Sequence, residues 1–96
     1  MSREEVQNII ITYLKNYNPE FVGIFGSYAR NQSIETSDID ILVSFKKAYS
    51  LLKLIHMENE LSDKLGIKVD LVTMGSLKNE IIKNNIMNDL QTIYRA

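Results

Sequence analysis

Asp38 and Asp40 lie inside a run, Asp38 to Phe45, whose other residues are apolar apart from Ser44. If the run is a strand, alternation puts Ile39, Ile41, Val43 and Phe45 on one face and Asp38, Asp40, Leu42 and Ser44 on the other. One face must then be kept dry. The other carries two like charges side by side, which is costly in a half-buried strand unless something positive compensates. A divalent cation is the plainest compensator. The run therefore points to a sheet with one packed face, to a metal site, and through the metal to phosphate chemistry.

The flanking segments supply partners for that strand. Ser2 and Glu5 have capping-box spacing, and Val6, Ile9, Ile10, Tyr13, Leu14 and Tyr17 then recur with helical period. Pro19 disfavours a helical Asn18, so this helix is expected to stop there. Phe21 to Phe25 reads as a buried strand, Ser27 to Arg30 as a short helix, and residues 31–37 as a polar loop. Ser50 is placed to cap a helix running to Leu65, with Leu51, Leu54, Ile55, Leu61 and Leu65 as its apolar stripe and Gly66 as its end. Ile67 to Thr73 is a third strand, with Ile67, Val69 and Leu71 on one side and Lys68, Asp70 and Val72 on the other. A helix after Ser76 to about Met87 and a short strand over Leu90 to Tyr94 complete the chain. The order predicts an α/β fold: a small mixed β-sheet with helices packed mainly on one face.

Composition narrows the function. Ninety-six residues make one small domain, 1–96, and 45% hydrophobic with 24% charged residues is an ordinary globular balance. There is no cysteine, which removes disulfides, thiolate metal sites and cysteine nucleophiles together. Eleven basic residues against twelve acidic ones give a net charge of −1, without the basic excess that binding a long nucleic acid requires. No apolar run approaches membrane-spanning length, so no membrane partner is expected and a cytoplasmic location is. Any nucleotide bound here is expected to be a small one, held locally through a metal.

Two further features fit such a ligand. Gly26-Ser27 closes the first apolar run, where glycine lets backbone approach a ligand and Ser27 stands at a strand-to-helix turn with free N–H groups. Arg30, one turn on, is placed either to contact a phosphate or to pair with an acid. If the third strand pairs beside the second, Asp70 joins Asp38 and Asp40 on one face. Three such carboxylates raise each other's pKa unless cations bind between them. Oxygen-only donors suit Mg²⁺ or Mn²⁺, and two such ions, roughly 3.5–4 Å apart, activate an attacking oxygen and stabilise departing pyrophosphate.

Taken together, Gly26-Ser27, ten intervening residues, Asp38-x-Asp40 and the later strand residue Asp70 resemble the signature of the DNA polymerase beta-like nucleotidyltransferases. The form GSYAR…SDIDILV is especially similar to the minimal nucleotidyltransferases, small prokaryotic proteins of about this length. The resemblance implies that Gly26 and Ser27 hold the triphosphate of ATP or another nucleoside triphosphate. It implies that Asp38, Asp40 and Asp70 hold two Mg²⁺, with Asp70 also a candidate base. Many relatives have glycine after the arginine where this chain has Asn31, a residue that tolerates left-handed backbone.

The expected activity is transfer of a nucleoside monophosphate, AMP from ATP, to a hydroxyl. The chain has little material for a second substrate domain, so the acceptor is expected from outside, on a partner or at a homo-oligomer interface. The resemblance implies a HEPN-type toxin as that partner and an antitoxin role for this chain. Two competing readings remain: a partner-binding module without turnover, and an adenylyltransferase of small molecules, whose known members usually carry a further helical domain.

Overall fold

The computed structural model describes residues 1–30 and 38–96. The loop expected over 31–37, with Asn31, lies outside the described residues. Helix α1 (Arg3–Leu14) starts on the expected capping box: Glu5 N–H donates to Ser2 Oγ at 3.1 Å, and Ser2 N–H donates to Glu5 Oε1 at 3.2 Å. A 3₁₀ turn, Lys15–Tyr17, and a left-handed Asn18 then redirect the chain into β1 (Pro19–Phe25), which begins two residues earlier than expected. Proline suits a first strand position because that position need not donate to the ladder.

After β1 come α2 (Gly26–Ala29), β2 (Ile39–Phe45), α3 (Leu51–Leu65), β3 (Val69–Thr73), α4 (Glu80–Asp89) and β4 (Gln91–Arg95). The sheet order is β3-β2-β1-β4; β1 runs antiparallel to both neighbours, and β2 runs parallel to β3 across the α3 connection. The expected mixed α/β sheet is thus observed.

One face of the sheet carries the main core. Val22, Ile24, Ile39, Ile41, Val43 and Val69 meet Val6, Ile10 and Leu14 of α1 and Met57, Leu61 and Leu65 of α3. Burying each of these large side chains is worth roughly 1.5–3 kcal/mol, so this layer dominates stability. The stripe expected on α3 needs correction: Leu51 and Ile55 are 72% and 41% exposed, while Met57, which was not in it, is fully buried. The inward row is Leu54, Met57, Leu61 and Leu65, spaced three or four apart, and the helix's first turn projects beyond the packed layer.

The second face is only half open. Ile86 of α4 covers Leu42 and Phe21, with Phe25, Val72, Met74, Leu77 and Leu90 around them. This helix starts later than expected: Ser76 belongs to a 3₁₀ turn, and the cap is Asn79, whose Oδ1 accepts from Ile81 N at 2.9 Å and Ile82 N at 3.2 Å. Strand β3 is an edge, yet its outward amides are satisfied from α3, Val69 N–H donating to Ser62 Oγ at 2.9 Å and Leu71 N–H to Glu58 Oε2 at 2.7 Å. Among the described residues no helix is long and apolar enough to cross a membrane.

Candidate active site

The acidic residues gather where β1 ends and β2 and β3 begin. Phe25 stands opposite Asp40 in the antiparallel pair, and Asp40 stands opposite Asp70 in the parallel pair. Neighbouring strands lie about 4.8 Å apart, so the backbone itself stacks the two aspartates side by side on the face away from α1 and α3. Asp38 precedes β2 on the same side. Immediately after β1, Gly26 takes a left-handed φ of 78°, and a Cβ on it would fall 2.3 Å from Asp40 Oδ2. Only glycine fits there: the turn lays bare backbone directly against the central carboxylate.

Electrostatics single out Asp40. Burial first, then the charges of Asp70 and Asp38, push its pKa up to about 6. Relief for the flanking acids comes from Lys68, whose Nζ lies 3.9 Å from Asp38 Oδ2 and 4.0 Å from Asp70 Oδ1. Among the described residues no three acidic or imidazole side chains are drawn closely enough together, as they stand, to ligate one ion. The donor set nevertheless fits a hard cation: three carboxylates, no sulfur or imidazole, excess negative charge, and a register that already stacks two of them.

Around the turn the structure adds residues that sequence patterning did not single out. Arg3 donates to the Tyr28 carbonyl at 2.9 Å, with its guanidinium 4.6 Å from the Tyr28 ring centroid. Gln91 Nε2 donates to the Ala29 carbonyl at 2.7 Å. Arg30 pairs with Asp89 at the end of α4. Three long-range contacts therefore hold the far end of α2, and with it the Gly26-Ser27 backbone. One sequence signal was available: Arg3 is a base in a helical first turn, where acids are the stable choice. Lys68 was legible only as a neighbour of Asp70 on its face.

Of the expected site residues, Gly26, Ser27, Asp38, Asp40 and Asp70 come together, whereas Arg30 leaves toward Asp89. The Ser27 hydroxyl has no hydrogen-bond partner among the described residues. Its helix, α2, is a single turn of four residues, too short for a sizeable dipole; what it offers an anion is N–H groups. The surface cavities, of about 340, 490 and 640 Å³, lie at the other strand ends, against Lys46 and Met74, and beside Asn8 and Lys64 of α1 and α3.

Comparison with known proteins bears on this geometry. The family described as polymerase beta, nucleotidyltransferase matches residues 8–96. The chain belongs to that family. It is 49% identical over 90 residues to a candidate protein adenylyltransferase of Methanocaldococcus jannaschii, spanning 90% of this chain and 92% of the relative. Protein adenylyltransferase MntA of Thermococcus cleftensis is 42% identical over 87 residues, spanning 86% of this chain and 88% of that one. Among solved structures, a toxin–antitoxin complex with AMP-PNP superposes with a TM-score of 0.84 at 22% identity, over 94% of this chain and 73% of the other. A tri-AMPylated HEPN toxin from Shewanella oneidensis in complex with its MNT antitoxin gives 0.80 at 20% identity, over 99% of this chain and 74% of the other. At those identities the likeness establishes the fold. The family and its named relatives make this chain an enzyme, a nucleotidyltransferase.

Proposed function

We propose that this chain is a single-domain, metal-dependent protein adenylyltransferase that moves AMP from ATP to a hydroxyl on a HEPN-type toxin and so acts as its antitoxin. The observation that carries the reading is the line Gly26–Asp40–Asp70 where β1 ends beside β2 and β3, bare backbone beside two carboxylates in register. The partner is supported by what the relatives are: a protein adenylyltransferase by name, and an MNT antitoxin solved with an AMPylated HEPN toxin.

In this reading Asp38, Asp40 and Asp70 would hold two Mg²⁺, with Mn²⁺ a substitute. Bound there, the ions supply Lewis acidity to the attacking and departing oxygens and cancel the carboxylates' repulsion. Gly26 brings its N–H against the triphosphate without a side chain in the way, and Ser27 adds a hydroxyl donor that no described protein group uses. Arg30, one turn on from Ser27, would move from Asp89 to a phosphate of the bound nucleotide. The acceptor oxygen attacks the α-phosphorus, the bond from that phosphorus to the β-bridging oxygen breaks, and pyrophosphate leaves. Asp70 accepts the proton of the attacking hydroxyl.

The test is transfer of label from α-³²P-ATP in the presence of Mg²⁺ to a HEPN protein encoded beside this chain. Label on that protein, lost in the Asp40→Asn variant, is the expected result. Label passing only to small hydroxylated molecules would favour a small-molecule adenylyltransferase, and complex formation without any transfer a binding module.

A further inference from the structure

Lys68 is the charged group at the site that the foregoing chemistry leaves unused. Its carbonyl accepts from Ile39 N–H at 2.9 Å, which ties its backbone to the start of β2. Strand alternation sends its side chain to the face of Asp70. From there one ammonium spans two carboxylates, 3.9 Å from Asp38 and 4.0 Å from Asp70, while its side chain stays 70% exposed. Ion pairs this long and this wet are weak and easily exchanged. A lysine beside an edge strand often serves only to block pairing with another chain. Here that role is already filled, because the outward amides of Val69 and Leu71 are occupied by Ser62 and Glu58.

We propose that Lys68 is the resident counter-ion of the carboxylate cluster: it holds Asp38 and Asp70 in the absence of a divalent cation, yields them when the cation enters, and then contacts the nucleotide's phosphates. The inference rests on the metal-dependent reading above. Its second half follows from charge. An ammonium displaced by a divalent cation, yet anchored a few ångströms away, is repelled by it unless an anion lies between them, and the triphosphate is that anion. Lys68 so couples the two ligands: metal alone must compete with it, whereas metal and nucleotide together use it.

The test uses the full chain, Mn²⁺ as probe, and the substitutions Lys68→Met and Lys68→Arg, with bound Mn²⁺ followed by electron paramagnetic resonance and ATP binding by calorimetry. Without nucleotide, Lys68→Met is expected to bind Mn²⁺ about three- to tenfold more tightly, because a competing charge at contact distance is gone. The same variant, once loaded with Mn²⁺, is expected to bind ATP more weakly by a similar factor. Lys68→Arg should stay near wild type in both. Wild-type Mn²⁺ affinity in Lys68→Met would overturn the counter-ion role, and unchanged ATP affinity would overturn the phosphate contact. A wild-type protein that binds no Mn²⁺ at millimolar concentration would overturn the metal reading itself, and this proposal with it.

Discussion

Asp40 and Leu42 leave the same strand on the same side, two residues apart, and meet opposite fates. Leu42 is fully buried beneath Ile86 of α4 with Phe21 beside it. Asp40 is half-buried at the sheet's end, with Asp70 across the strand and the Gly26 backbone against it. One end of this face is core and the other is the proposed site. Alternation decides which side of a sheet a residue faces; what covers that side is decided by a distant helix, α4, through Ile86.

The contrast can be broken most sharply at its two ends. On the proposed reading, Asp40→Asn should reduce nucleotidyl transfer by on the order of a thousandfold or more, because charge stabilisation by a bound metal would be worth several kcal/mol and a neutral amide is a poor substitute for a carboxylate ligand. Its melting temperature without metal should be unchanged or raised, since like-charge repulsion is relieved. Leu42→Ala should do the reverse, costing about 2–5 kcal/mol of stability as a cavity opens under Ile86, with the remaining folded enzyme still active. Should Asp40→Asn unfold the protein, the acidic end is structural and the comparison collapses. Urea melts of the two variants beside transfer assays decide this.

Smaller effects test the boundary between the ends. Gly26→Ala is expected to lose about 1–3 kcal/mol to left-handed backbone strain. It should also lose activity beyond that cost, because the new methyl displaces the Asp40 carboxylate; a variant with wild-type turnover would show the close approach to be incidental. Ser27→Ala should lower turnover roughly ten- to a hundredfold, the worth of a hydrogen bond to a charged group, with stability moved by under about 0.5 kcal/mol. A large fall in its melting temperature would reveal a structural cap in place of a substrate contact.

The smallest expected effect is on pH. Asp40 has a folded pKa of about 6, raised above its usual value of 3.8. Between those values the folded protein keeps a proton that the unfolded chain has lost, so this group's stabilisation is complete below about pH 4 and is lost as pH rises through about 6. Metal-free wild type should therefore melt below Asp40→Asn at pH 7.5, and the gap should narrow as pH falls through about 6 and close only below about pH 4. Mn²⁺ binding should weaken over the same window as the proton competes for the carboxylate. A gap that does not change with pH would mean that Asp40 is not the titrating group.

Much of the fold was legible because its causes are local. The capping box at Ser2 and Glu5, the stop at Gly66, and the alternation that put Asp38 and Asp40 on one face each depend on neighbours a few residues away. The errors lay where distant cover decides. Leu51 and Ile55 have the right period but project past the layer they were expected to join, and Met57 takes the buried place. Ser76 and Asn79 both have capping side chains, but Ser76 sits in a 3₁₀ turn with its hydroxyl on the Thr73 carbonyl, and Asn79 caps α4.

The sequence by itself determined the identities and spacing of Gly26, Ser27, Asp38, Asp40 and Asp70, because a glycine turn and a strand's two-residue period need no partner to be read. Only the tertiary structure decided that Asp40 and Asp70 share a register, that Arg30 turns to Asp89, that Arg3 and Gln91 brace the turn, and that Lys68 bridges two carboxylates. Strand pairing and ion pairs across tens of residues depend on which surfaces the core brings together, and no single segment carries that information.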